Sequence, residues 1–125
     1  MVERQPRILI VDDQPDALVI LRNILERAGY SVITAYGGVD ALRRLETQQF
    51  DLIITDLAMP EVSGVDIVDR VKRDPRHSGI PVIALTAYVW DSISQSAGTS
   101  GCDAFLNKPI DKKRLLEEVA KWVHR

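Results

Sequence analysis

The chain carries a single cysteine, Cys102, in 125 residues. One thiol builds neither a disulfide framework nor a cysteine-rich metal site, and Cys102 reads as a small buried apolar side chain. Histidines are equally scarce: His77 and His124 fall outside the acidic cluster described below, which argues against a histidine-ligated transition-metal centre. No apolar run approaches the ~20 residues that a membrane-spanning helix needs, and no signal peptide is read ahead of the first strand. Charge of one sign is not in excess either. The formal net charge of −2 lacks the basic field of a general nucleic-acid binder. Linkers, repeats and low-complexity tracts are absent, so residues 1–125 are expected to form one domain with its core over about 7–124. That length buries a core without disulfide or metal staples. The default expectation for location is cytoplasmic.

What is present is ordinary in bulk, with 46% hydrophobic and 27% charged residues, but ordered in pattern. Short β-branched runs alternate with longer amphipathic stretches. Arg7-Ile8-Leu9-Ile10-Val11 reads as a first strand ending at Asp12-Asp13. Gln14-Pro15 opens a helix, with proline where no backbone donor is lost. Ala17, Leu21, Ile24 and Ala28 recur along it at helical spacing, and Gly29 suits a left-handed stop. Ser31 to Ala35 is a second strand, followed by a helix from about Val39 to Glu46 carrying Ala41, Leu42 and Leu45.

The third strand, Leu52-Ile53-Ile54-Thr55, is closed by Asp56, with Met59-Pro60 and Ser63-Gly64 as turn punctuation. A helix over about 64–73 repeats Val65, Val68 and Val71, with Ile67 beside them. Pro81 to Thr86 and Ala104 to Asn107 are the fourth and fifth strands, the last one stopped by Lys108-Pro109. Asp111 caps a final helix through His124, its stripe being Leu115, Leu116, Val119, Trp122 and Val123. Between the fourth and fifth strands, Trp90 to Ser100 is rich in serine with Gly98 and Thr99, so a short or frayed fourth helix is predicted. Strict alternation implies right-handed βαβ crossovers and an α/β class: a single doubly wound, five-stranded parallel sheet, (βα)5.

In open parallel sheets, ligands bind at the carboxyl ends of the strands. Asp56, at the tip of a wholly buried strand, is costly to place unless something pairs with it. Alone it reads equally well as a turn or cap aspartate. The first and third strands of such a fold lie side by side, however, so Asp12, Asp13 and Asp56 should converge. Two such charges ~4 Å apart repel by about 4 kcal/mol at an effective dielectric of 20. The cluster must protonate, find a cation or bind a metal, and oxygen-only ligands with room for water suit Mg²⁺. Thr86 closes the fourth strand with a hydroxyl, and Lys108 closes the fifth with a cation. A cis Lys108–Pro109 peptide would aim that ammonium at the carboxylates. Singly these are a β-branched strand residue, a surface charge and helix-capping aspartates; their joint placement at four strand ends points to chemistry.

Asp12-Asp13, Asp56 with Met59-Pro60 and Gly64 after it, Thr86-Ala87 and Lys108-Pro109 together resemble the receiver domain of two-component response regulators. The resemblance runs from Ile8 to about Val123. It implies a flavodoxin-like fold with strand order 2-1-3-4-5, an order that comes from the family and not from periodicity. It also implies that Asp56 is the phosphoacceptor, taking a phosphoryl group from the phosphohistidine of a sensor histidine kinase or histidine phosphotransfer protein. Asp12 and Asp13 would hold Mg²⁺, directly or through water, with an Asp56 oxygen and the backbone carbonyl of Ala58. Lys108 would pair with the phosphoryl oxygens and Thr86 would donate a hydrogen bond to them. Phe105 would be the aromatic switch residue, turning from exposed to buried as Thr86 moves; lacking a phenolic hydroxyl, it would couple by packing alone.

The same resemblance implies a downstream protein, not yet identified, bound at the surface of the fourth helix, fifth strand and last helix. Direct nucleic-acid contact and membrane insertion are not expected. The phosphoryl donor would approach over the first helix, where Leu18 and Val19 lie beside or outside the predicted stripe. Tyr88 could cover the site against water. Lys112, Lys113 and Arg114 crowd the positive end of the last helix, as a solvated basic patch or as a surface for an acidic partner. The overall expectation is a stand-alone receiver acting as a switch, not a turnover enzyme. An aspartyl phosphatase usually carries a second aspartate two residues past its nucleophile, where this chain has Ala58. A flavin binder wants a Ser/Thr/Gly-rich loop after the first strand, where Asp12-Asp13 would repel phosphate. A receiver locked in one state is the remaining alternative.

Overall fold

Runs of β-branched and aliphatic residues form each strand, and each strand of the sheet ends where a polar or charged residue takes over. The computed structural model describes residues 5–57, 64–86 and 102–124. Within them the order is β1 (Arg7–Asp12), α1 (Pro15–Arg27), β2 (Ser31–Tyr36), α2 (Gly38–Thr47), β3 (Leu52–Asp56), α3 (Gly64–Arg73), β4 (Val82–Thr86), β5 (Ala104–Asn107) and the C-terminal helix α4 (Lys112–Val123). All five strands are parallel, in the order β2-β1-β3-β4-β5. This is the expected doubly wound α/β sheet. The helix expected over 90–100 lies outside the described residues, as do Ala58 and Tyr88.

Side chains alternate across the sheet with a period of two, which divides the core into two layers. Ile8, Ile10, Leu52, Ile54, Ile83 and Leu85 face one way, against Leu21 and Leu25 of α1 and Leu115 and Val119 of α4. Leu9, Val11, Ile53 and Val82 face the other way, against Ala41 and Leu45 of α2 and Ile67, Val68 and Val71 of α3. β3 is buried along its whole length, so its terminal aspartate is delivered into low dielectric.

The buried stripe of α1 differs from the predicted one. Leu18, Leu21 and Leu25 are the buried residues, whereas Ala28 is exposed and Ala17 and Ile24 are only partly covered. Two apolar sets interleave on this helix and share Leu21. The set with three leucines removes more apolar area from water, at roughly 25 cal/mol per Å², than the set with two alanines. Leu18 is therefore a core residue and not part of an outer surface, while Val19 is exposed as expected, together with Ile20. The stop at Gly29 is as predicted, with φ +99°. Asp111 caps α4 by accepting from the Lys113 backbone N–H at 3.0 Å.

At the amino ends of the strands, side chains fasten the backbone. Asp51 accepts from the Arg7 N–H at 2.7 Å. Asp103 accepts from the Val82 N–H at 2.7 Å and from Lys72 Nζ at 3.0 Å, and Lys72 also donates to the Ile80 carbonyl at 3.0 Å. At the carboxyl ends the register pairs Val11 with Thr55, Asp56 with Leu85, and Thr86 with Asn107. Asp12 and Asp56 thus leave neighbouring strands at the same level.

Candidate phosphoacceptor and metal site

Asp12 ends β1 and has no exposed surface. Its Oδ1 accepts from the Gln14 backbone N–H at 3.0 Å, and its carbonyl accepts from the Gly37 N–H at 3.1 Å. Gly37 holds φ +90°, a backbone state that favours glycine, so the turn after β2 closes over the end of β1. Asp56 ends β3 with 6% of its surface exposed. Asp13 is partly buried beside them, and oxygens of the three carboxylates lie within 4.8 Å of one another. The convergence expected from two adjacent strand ends is present.

Lys108 follows β5, its backbone N–H donating to the Thr86 carbonyl at 2.7 Å, and its peptide to Pro109 is cis. The ammonium lies 3.1 Å from Asp12 Oδ2 and 3.2 Å from Asp56 Oδ2. Burial alone would make this amine easier to deprotonate. Its hydrogen bond to Asp12 and the charges of Asp12 and Asp56 act the other way and together hold it above the usual lysine range. Lys108 is therefore a fixed cation bridging two buried carboxylates.

Three carboxylates and one ammonium leave two formal negative charges in the cluster, which one divalent cation would offset. The donors are all oxygen, and Asp13 is only partly buried, so water can reach the cluster. These residues fit a magnesium-type ion better than a softer metal.

Thr86 is buried at the end of β4. It shares a sheet face with Ala84, the register partner of Phe105. Phe105, 8% exposed, packs with Leu57 and Ala84, and partly covered Cys102 lies against the same group. The ring is thus buried. Burial, aided by the neighbouring Asp103 charge, pushes the Cys102 thiol up to about 11, so it stays protonated and unreactive. Neither histidine reaches the cluster: His77 contacts the Leu45 carbonyl, and His124 lies beside Tyr30.

One residue near the site was read from sequence as turn punctuation and as part of the family pattern, with no contact assigned to it. Gly64 begins α3 against the backbone of Asp56 and Leu57, and its N–H donates to the Leu57 carbonyl at 3.2 Å. No periodicity marks such a contact; the signals were its place in the family pattern and a glycine at the start of a helix, where ordinary helix formers would do better.

A family model described as "Response regulator receiver domain" matches residues 8–120. The chain is 34% identical over 122 residues to the sensor protein GacS of Pseudomonas syringae, a match that covers 95% of this chain but 14% of GacS. It is 32% identical over 116 residues to the polar-differentiation response regulator DivK of Brucella anthropi, covering 93% of this chain and 94% of DivK. Among solved structures, the receiver domain of the sensor histidine kinase PA1611 from Pseudomonas aeruginosa, which has a magnesium ion coordinated in its active-site cleft, superimposes with a TM-score of 0.89 at 25% identity. That match covers 98% of this chain and all of the other.

Proposed function

As the chain belongs to the response regulator receiver domain family of two-component systems, we propose that Asp56 is its phosphoacceptor. The observation that carries this is the meeting of Asp12, Asp13 and Asp56 within 4.8 Å, bridged by Lys108 from the far side of β3. An Asp56 carboxylate oxygen attacks the phosphorus of a phosphohistidine on a sensor histidine kinase or histidine phosphotransfer protein. The P–N bond breaks, its electron pair returns to the imidazole, which takes up a proton, and an acyl phosphate remains on Asp56.

Asp12, Asp13, one Asp56 oxygen and the Ala58 carbonyl would hold Mg²⁺, which supplies charge neutralisation for the transferring phosphoryl group. Lys108 then exchanges a carboxylate for a phosphoryl oxygen as its partner, and the Thr86 hydroxyl donates to another. Movement of Thr86 and the inward packing of Phe105 change together, and the surface of β5, α4 and the preceding segment presents the result to a downstream protein. Exposed Val19 and Ile20 on α1, 57% and 59% accessible, suit the approach of the phosphoryl donor.

This is a switch that catalyses only its own phosphorylation and dephosphorylation. Ala58, two residues past Asp56, offers no side-chain acid or base for turnover. Among the described residues no helix is long and apolar enough to cross a membrane. A cytoplasmic setting, opposite a kinase's phosphohistidine, agrees with that.

The test is incubation with Mg²⁺ and a small acyl phosphate donor, followed by intact mass. A phosphate adduct that Asp56→Asn abolishes supports the reading. An unmodified wild type sinks it, and turnover of a phosphomonoester substrate, which a phosphohistidine-dependent switch would leave intact, points to an aspartyl phosphatase instead.

A further inference from the structure

The end of β3 is held by contacts that do not involve the metal or phosphoryl chemistry. The Leu57 N–H donates to the Leu85 carbonyl at 3.1 Å, and the Thr55 hydroxyl donates to the Asp56 carbonyl at 3.0 Å. The third support is α3 itself, whose first residue, Gly64, sits directly on this backbone. A Cβ on Gly64 would overlap the carbonyl oxygen of Asp56 and lie 2.7 Å from the α-carbon of Leu57 and 2.9 Å from the carbonyl carbon of Asp56. All three clashing atoms are main chain. No rotamer change relieves such an overlap, so either α3 lifts or the Asp56 peptide moves. Ile67, Val68 and Val71 bury α3 against the sheet, so lifting the helix would open a packed layer. Moving the peptide at the strand tip instead would disturb its hydrogen bonds to Leu85 and Thr55, and either shift alters how α3 sits against Asp56.

We propose that Gly64 is a positioning residue for the phosphoacceptor: its bare α-carbon seats α3 on the Asp56 peptide, and this seat sets where the Asp56 carboxylate stands relative to Asp12, Asp13 and Lys108. The inference rests on the reading of Asp56 given above. It assigns glycine here a role in chemistry, beyond allowing a turn. Displacing a reacting group by about 1 Å can cost on the order of 100-fold in rate.

The test follows phosphorylation by acetyl phosphate, read by intact mass at graded Mg²⁺, in the wild type, Gly64→Ala and Val71→Ala. Val71 is a buried α3 residue in the layer away from the carboxylates, so its truncation loosens the same helix without touching the seat. Gly64→Ala is expected to lower the rate per folded molecule by roughly 10- to 100-fold and to raise the half-saturating Mg²⁺ concentration. Val71→Ala should lower the melting temperature while keeping both quantities. A Gly64→Ala protein with wild-type rate and half-saturation overturns the proposal, as does a Val71→Ala protein that loses as much of both.

Should Gly64→Ala fail to fold, the wild type still decides. Its Gly64 and Leu57 amide resonances should shift on Mg²⁺ addition with the midpoint shown by Asp12 and Asp13, and amides that stay still refute the seat. A wild type that takes no phosphate at all refutes the phosphoacceptor reading instead, and the amide titration then judges Gly64 by itself.

Discussion

Replacing Lys108 with methionine keeps most of the stem and removes only the ammonium. Each of its two contacts, at 3.1 and 3.2 Å, is worth about 5 kcal/mol of Coulomb attraction at an effective dielectric of 20. Much of that is spent on desolvation, so the net value is far smaller. In the variant, Asp12 and Asp56 stay buried with no cation between them. Carboxylate oxygens within 4.8 Å then repel by about 3.5 kcal/mol at the same dielectric. Breaking a buried ion pair from one side costs about 3–5 kcal/mol. Because the Lys108 side chain is 27% exposed, the lower end applies, about 3 kcal/mol. For a domain of this size that corresponds to a melting temperature lower by roughly 10 °C.

The pH dependence has a definite sign. The amine is held above its ordinary value of 10.5 in the fold, so its contribution is fully present at neutral pH. It is lost only as pH rises through the folded value. Mg²⁺ at about 100 times its dissociation constant returns about 2.7 kcal/mol, close to what the substitution removes. The assay is a thermal melt by circular dichroism at pH 7, with Mg²⁺ or with a chelator. A Lys108→Met protein that melts with the wild type, or whose loss Mg²⁺ leaves untouched, refutes the view that this ammonium stands in for a cation.

Changing Val19 and Ile20 together to aspartate alters only exposed surface, so stability should stay within about 0.5 kcal/mol. Labelling by acetyl phosphate should be unchanged while transfer from a cognate phosphohistidine donor falls at least tenfold, by an estimate on the order of 1.4 kcal/mol of docking energy; equal loss in both assays would place the defect in the fold. Asp103→Ala strands the Val82 N–H at the amino edge of the sheet and leaves Lys72 with the Ile80 carbonyl but without its carboxylate. Urea denaturation should show a loss of about 1–3 kcal/mol, with half-saturating Mg²⁺ unchanged. Hydrogen bonds from Arg76 hold the Asp74 carboxyl at about 2, below its ordinary 3.8. Its contribution is therefore in place above pH 3.8 and is lost as pH falls toward 2. Acid unfolding of Asp74→Asn should lack that component, and an unchanged acid limb would dismiss it.

The carboxylate cluster was legible in the sequence because each aliphatic run gives way abruptly to aspartate. Strand ends are the best-marked points of a parallel sheet. That adjacent strands bring Asp12 and Asp56 level follows from the fold class, whereas the full strand order came from resemblance, since alternation alone does not order a sheet. Lys108 was legible as a strand-end cation. Its bridging of Asp12 and Asp56 depends on geometry across β3 that no local pattern encodes. On α1 the periodicity was correct and its phase was not, because two apolar sets overlap and only the area buried against β1 and β2 chooses between them. Gly64 shows the same limit at the site. A close approach between segments eight positions apart leaves no trace beyond a residue type that also serves in turns.

If Asp56 takes a phosphoryl group as proposed, the bridge made by Lys108 also imposes an order of arrival. Until a divalent ion joins the cluster, an incoming phosphoryl group meets uncompensated carboxylate and an ammonium already engaged twice. Once the ion is seated, the lysine has a hand to spare and repulsion turns into welcome. On the reading proposed above, the domain would then behave as a two-input gate, with the metal as a standing permission and the phosphoryl donor as the event.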